Sequence, residues 1–156
     1  MSFEKAKKHL KKYNLEDRII EFSVSTATVR EASCALGCTD GEIAKSLGFI
    51  VNEKVILVIA AGDQKIDNPK FKEEFKVKAK MIPFDDVEIM VGHKAGGVCP
   101  FGVNPDVLVY LDTSLKKYDI VYPACGSHNS AVKLTINELE KASNFIKWVD
   151  VCKNQF

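Results

Sequence analysis

An α+β domain on a mixed, mainly antiparallel sheet is the fold class this sequence predicts, on three observations. Short β-rich runs alternate irregularly with helical segments, with no regular βαβ order. Two of those runs, 45–51 and 55–61, flank the polar turn Asn52-Glu53-Lys54 as a hairpin. At 156 residues, with 46% hydrophobic and 28% charged residues, the chain has the size and balance of one globular core, so a single domain over 1–156 is expected.

The elements follow in order. Phe3, Ala6, Leu10 and Tyr13 recur at helical spacing over 2–13, with Lys5, Lys8 and Lys12 on another face. Arg18 to Phe22 reads as a strand, and Thr28 as the cap of a helix that runs to Leu36 and stops at Gly37. Thr39-x-x-Glu42 is a capping-box pattern just before Lys45, which falls at or near a strand start. Asn68-Pro69 opens a helix with Asn68 as cap and Phe71 and Phe75 on one face, and Asp85 to Val91 forms a short helix. Four glycines and a proline make Gly92 to Gly102 a loop. Strands are expected at 107–111, 119–124 and 131–134, a helix capped by Thr135 through Ser143, and a closing strand at 147–151.

Bulk properties exclude several function classes. The longest apolar run, Val55 to Ala61, is a buried strand's length and far from a membrane span. Five cysteines, an odd number without an export signal, point to reduced thiols and a cytoplasmic setting. Cys34-x-x-x-Cys38, Cys99 and Cys125-x-x-His128 do not match zinc-site spacing, so no metal and no cofactor is expected. A net charge of +1 leaves nucleic-acid binding to local patches, the N-terminal lysines and Lys65 to Lys80.

Three segments carry candidate chemistry. Adjacent glycines at Gly96 and Gly97 let backbone N–H groups approach a ligand, or simply make a tight turn, and neither common phosphate-loop pattern is present. Lys45, after Ile43-Ala44, is either a phosphate ligand on a buried stem or a lysine reaching solvent. The turn Cys125 to Ser130 presents His128, able to exchange protons near neutral pH, or is a plain polar turn. Cys99 as a nucleophile requires His93 or His128 beside it.

Together, Ile43-Ala44-Lys45-Ser46-Leu47, Ala61-Gly62-Asp63, Gly96-Gly97-Val98-Cys99-Pro100-Phe101-Gly102 and Gly126-Ser127-His128-Asn129 resemble the YbaK/EbsC family. Its members are free-standing relatives of the editing domain inserted in bacterial prolyl-tRNA synthetases. The resemblance runs from about Ala27 to Val151. It implies a barrel-like sheet around a small pocket and hydrolysis of the ester between a small noncognate amino acid and the end of tRNA, in several cases tRNA for proline. Lys45 falls on the family's essential lysine, Ser46 on the neighbouring hydroxyl, Gly96 to Pro100 on its glycine-rich element, and Gly126 and His128 on a turn of one branch.

From that resemblance, Lys45 is expected to hold a phosphate or ribose oxygen, with Gly97 and Val98 N–H groups facing the ester carbonyl and His128 or a ribose hydroxyl orienting water. Ser46, Gly96, Cys99, Pro100, Gly126, Ser127 and Asn129 are the expected substrate contacts. Cys99 stands where many relatives have Pro or Ser, which bears on amino-acid preference. The implied partners are the acceptor end of a mischarged tRNA and an aminoacyl-tRNA synthetase. A non-catalytic binding module and a Cys99-dependent thiol hydrolase are the alternative readings.

Overall fold

Every residue from Val55 to Ala61 is buried, which a strand achieves only when both faces of its sheet are covered. In the computed structural model, which describes residues 2–155, this run forms most of β3 (Lys54–Ala61), a central strand. It pairs antiparallel with β2 (Ile43–Val51) through eight registered positions, from Ala44 opposite Ala61 to Val51 opposite Lys54. The turn is two residues long. Asn52 (φ 50°) and Glu53 (φ 67°) both adopt positive φ, the conformation that matches strand twist in tight hairpins, so Lys54 belongs to the strand and not to the expected turn.

The remaining strands are β1 (Ile19–Glu21), β4 (Gln64–Ile66), β5 (Leu108–Asp112), β6 (Ile120–Pro123), β7 (Ser130–Val132), β8 (Leu134–Thr135), β9 (Trp148–Val149) and β10 (Cys152–Asn154). The principal sheet has six strands in the order β8-β6-β2-β3-β5-β9 and curls into a half-barrel. Two-stranded sheets join β1 to β7 and β4 to β10. Of the seven pairings, β2–β6, β3–β5 and β5–β9 are parallel and the other four antiparallel.

Alternation along β3 divides the core in two. Leu57, Ile59 and Ala61 face one side, with Leu10 and Ala6 of α1 (Ser2–Lys11) and Leu139 of α5 (Ile136–Ser143). Ile56, Val58 and Ala60 face the other, with Phe71 of α3 (Asn68–Phe75). There Phe71 packs between Phe49 and Phe75, ring centroids 4.9 and 4.7 Å away. α2 (Val29–Leu36) and α4 (Val87–Val91) complete the helices of the described residues.

Several boundaries differ from expectation. The cap of α3 is Asp67, whose carboxylate accepts the Lys70 N–H, so Asn68 is already helical. The expected strand 131–134 is split at Lys133, whose N–H turns to Arg18, so β7 and β8 enter different sheets. The closing strand is likewise cut at Asp150. Val151 there donates its N–H to Asp112 Oδ1 at 2.9 Å and accepts the Asp67 N–H.

Asp112 is 1% exposed, and its second oxygen accepts the Ser114 N–H at 2.9 Å. Asp112→Ala strands both donors, and the expected loss is roughly 2–4 kcal/mol of unfolding free energy, read from the urea midpoint. A loss under about 0.5 kcal/mol would mean that water replaces the carboxylate.

Candidate active site

β2 touches β6 only at Ile43 and Ala44. Further along, Gly48 carbonyl accepts the Ile82 N–H at 3.1 Å and Ile50 donates to Lys80 carbonyl at 2.9 Å, so a different segment takes over the edge. Between these contacts the edge is open. Because peptide groups alternate along a strand, the one at Ser46 points its N–H and C=O into the same gap as those of Gly48 and Ile50. A cavity of about 440 Å³ fills that gap.

Its walls are chiefly apolar. Thr26 to Val29 and Ala32 form one side, and Thr28 caps α2 there in a reciprocal capping box with Glu31. Met81, Ile82, Phe84, Val87 and Val91 form another, Tyr122, Ala124, Ser130 and Ala131 a third, and Ala95, Gly96 and Val98 the loop side. Lys45 and Ser46 contribute to the lining along the β2 edge.

Lys45 sits opposite Ala60, a small neighbour that leaves its stem room. The ammonium donates to the Gly62 carbonyl at 3.3 Å and to the Gln64 carbonyl. Burial pulls its pKa below the ordinary lysine value, opposed by Cys152 and Asp63 nearby. Ser46 Oγ is buried and has no hydrogen-bond partner among the described residues.

The glycine loop is brought to the cavity only in part. Gly97 N–H donates to the Lys94 carbonyl at 3.0 Å, closing a turn, so it is not free to face an ester carbonyl as expected. Val98 lines the cavity, and among the described residues its N–H has no acceptor. The need for glycine at 97 is steric: a Cβ would lie 2.4 Å from Ser127 N, against main chain. The two loops are also bonded, Gly126 N–H to Gly97 carbonyl at 2.9 Å.

Other expected contacts are corrected. Cys99 is 0% exposed and points into the core, with Sγ 3.5 Å from His93 Nε2. Burial pushes its thiol far above the ordinary range, which removes both the pocket-lining and the nucleophile readings. Pro100 borders a separate small cleft with His9, Lys12 and Tyr13. Gly126, Ser127 and Asn129 lie off the cavity. Ser127 Oγ bonds Asn129 and Ser130, and Asn129 Nδ2 donates to Phe22 carbonyl at 3.1 Å, so these groups hold their own turn together. His128 is exposed beside Gly96, whose added Cβ would stand 3.7 Å from His128 Cβ; the histidine is at the mouth and outside the lining.

α1 backs both loops. His93 Nε2–H donates to Phe101 carbonyl at 2.5 Å, which leaves Nδ1 to accept from Ser2 Oγ at 2.7 Å. A Cβ on Gly126 would meet Ser2 carbonyl at 2.5 Å, and one on Gly102 would meet Lys5 carbonyl at 2.7 Å. No group of three or more metal-binding side chains stands together among the described residues.

The half-barrel thus opens one strand edge onto an apolar cavity whose lining includes Lys45 and Ser46. The chain belongs to the aminoacyl-tRNA editing domain family, whose model matches residues 24–142. It is 46% identical over 155 residues to the uncharacterized protein YwhH of Bacillus subtilis (strain 168), covering 99% of each chain. It is 25% identical over 101 residues to a proline-tRNA ligase of Bacillus cytotoxicus, covering 64% of this chain and 18% of the ligase. A crystal structure under the provisional designation of a trans-editing enzyme for prolyl tRNA synthetase superposes with a TM-score of 0.87 at 26% identity, covering 98% of each chain. Among the described residues no helix is long and apolar enough to cross a membrane.

Gly97→Ala forces the loops apart, and the expected cost is about 1–3 kcal/mol, seen as a fall in melting temperature of roughly 3–10 °C. An unchanged melting temperature would show that the loops yield freely. Burial also lowers the pKa values of His93 and His9 from 6.5. The unfolded imidazoles take up protons first, so stability is full above about pH 6.5 and is lost as pH falls through 6.5 towards the folded values. Urea unfolding at pH 7 and pH 5 reads this directly, and His93→Gln is expected to flatten the difference; equal stability at the two pH values contradicts it.

Proposed function

We propose that this protein is an aminoacyl-tRNA deacylase that clears a small noncognate amino acid from tRNA, with tRNA for proline as the first substrate to test. The observation that carries the reading is one apolar cavity at the open edge of β2, lined by Lys45, Ser46, Gly96 and Val98 of the family-like motifs. The whole chain would act as one editing unit in the cytoplasm, on the acceptor end of a mischarged tRNA and beside an aminoacyl-tRNA synthetase. Similarity to the proline-tRNA ligase and to the trans-editing structure supports the choice of tRNA.

In this mechanism the amino-acid side chain enters the apolar cavity and Lys45 holds a phosphate or ribose oxygen through a charge-assisted bond. Val98 N–H accommodates the negative charge that develops on the ester carbonyl, a contribution of about 3 kcal/mol for one such donor. Ser46 takes a polar group of the substrate. Among the described residues no carboxylate or imidazole lines the cavity, so the free ribose hydroxyl beside the ester is the natural group to orient the attacking water. Water adds to the carbonyl carbon, the bond to the ribose oxygen breaks, and that oxygen leaves with a proton. The products are the free amino acid and intact tRNA.

Deacylation of tRNA for proline charged separately with alanine, cysteine, serine and threonine tests the reading. Lys45→Ala is expected to fold normally and to lose at least about 100-fold in turnover, the scale of losing a group that positions the reacting ester. Undiminished turnover by the folded variant removes Lys45 from the mechanism. Binding of the whole panel without release of amino acid makes the protein a binding module.

A further inference from the structure

The cavity rim carries side chains that ester cleavage leaves unused. Five large hydrophobic residues stand well exposed among the described residues, Val24, Met81, Phe84, Ile89 and Ile146, and three of them fall between Met81 and Ile89. Met81 and Phe84 line the cavity and yet are 59% and 77% exposed. They are held in place. Ile82 between them is buried and donates its N–H to Gly48, and Phe84 starts a short 3-10 turn entered from Pro83.

The charges around this rim separate by sign. Lys76, Lys78 and Lys80 are exposed, while Val77 and Ala79 between them pack on the core. Among the described residues none of the three lysines is in an ion pair. Asp85 and Asp86, both exposed, follow the Phe84 ring directly. Those carboxylates disfavour a phosphate at the ring and suit a group that donates from an exocyclic amine, while the lysines suit phosphates on the approach.

We propose that Phe84 and Met81 form a platform on which the terminal purine base of an aminoacylated RNA end stacks, with Lys78 and Lys80 receiving the phosphates that lead to it. The proposal rests on the reading that the cavity takes the aminoacyl ester. Stacking on an aromatic face is tolerant of sequence and adds affinity without touching the reacting atoms. Phe84 is therefore a positioning residue: it sets how the end is held and leaves the cleavage step alone.

The test compares wild type, Phe84→Ala and Phe84→Trp on tRNA for proline charged with alanine, and on binding of 3′-alanylamido-adenosine, an amide that resists hydrolysis. Phe84→Ala is expected to raise KM and the Kd of the amide about 5- to 150-fold with kcat within about twofold, and Phe84→Trp to restore both. Unchanged KM and Kd, or a loss confined to kcat, overturns the platform. So does a Phe84→Ala variant that keeps its KM but no longer co-elutes with prolyl-tRNA synthetase, since the rim would then be a protein contact. Wild-type binding of the amide that depends on Phe84, without cleavage of the tRNA ester, supports the platform and refutes the hydrolase. Cleavage indifferent to Phe84 does the reverse, and neither binding nor cleavage ends both.

Discussion

Gly97 lies against the main chain of Gly126 and Ser127 so closely that no other residue fits, and the bond from Gly126 N–H to Gly97 carbonyl locks that approach. The loop side of the cavity hangs on this contact. It brings Val98 to the lining, turns Cys99 inward, and leaves His128 outside at the mouth. Behind it, the carbonyls of Ser2 and Lys5 press on Gly126 and Gly102, and Ser2 bonds the buried His93. α1 precedes the residues matched by the family model, yet it supports the two loops that shape the site.

The opposite wall has a different origin. β3 is buried on both faces, and β2 runs beside it beyond the two positions where β6 pairs. Segment 80–82 covers the far end of that edge, and the cavity is the interval left between. Polar groups inside a protein normally find partners, so the unpaired Ser46 hydroxyl beside this open strand edge stands out.

Much of the architecture was legible because it is written in local patterns. The apolar alternation of α1, the run Val55 to Ala61, the caps at Thr28 and Thr135 and the stop at Gly37 each specify an element from a few neighbouring residues. What escaped was set by partners distant in sequence. Nothing near Lys133 or Asp150 announces a strand break; Arg18 and Asp112 impose them from 115 and 39 residues away in contact pairs Lys133 to Arg18 and Val151 to Asp112. Of the residues that family-like motifs single out, Lys45, Ser46, Gly96 and Val98 line the cavity, but spacing cannot say which way a loop residue faces. Cys99 and Pro100 therefore read as contacts although burial turns them away. The apolar wall from Met81 to Val91 carries no motif, and only the fold brings it to the cavity.

The tether of Lys45 has a consequence for the far end of the chain. One of its carbonyl acceptors belongs to Gln64, whose strand β4 pairs only with β10 and whose side chain donates to Asn154 Oδ1 at 2.8 Å. Asp112 in turn anchors Val151 just ahead of β10. Gln64, which seats the ammonium, is thus held by a strand residue 90 positions downstream, so substitutions at 152–154 act on the setting of Lys45.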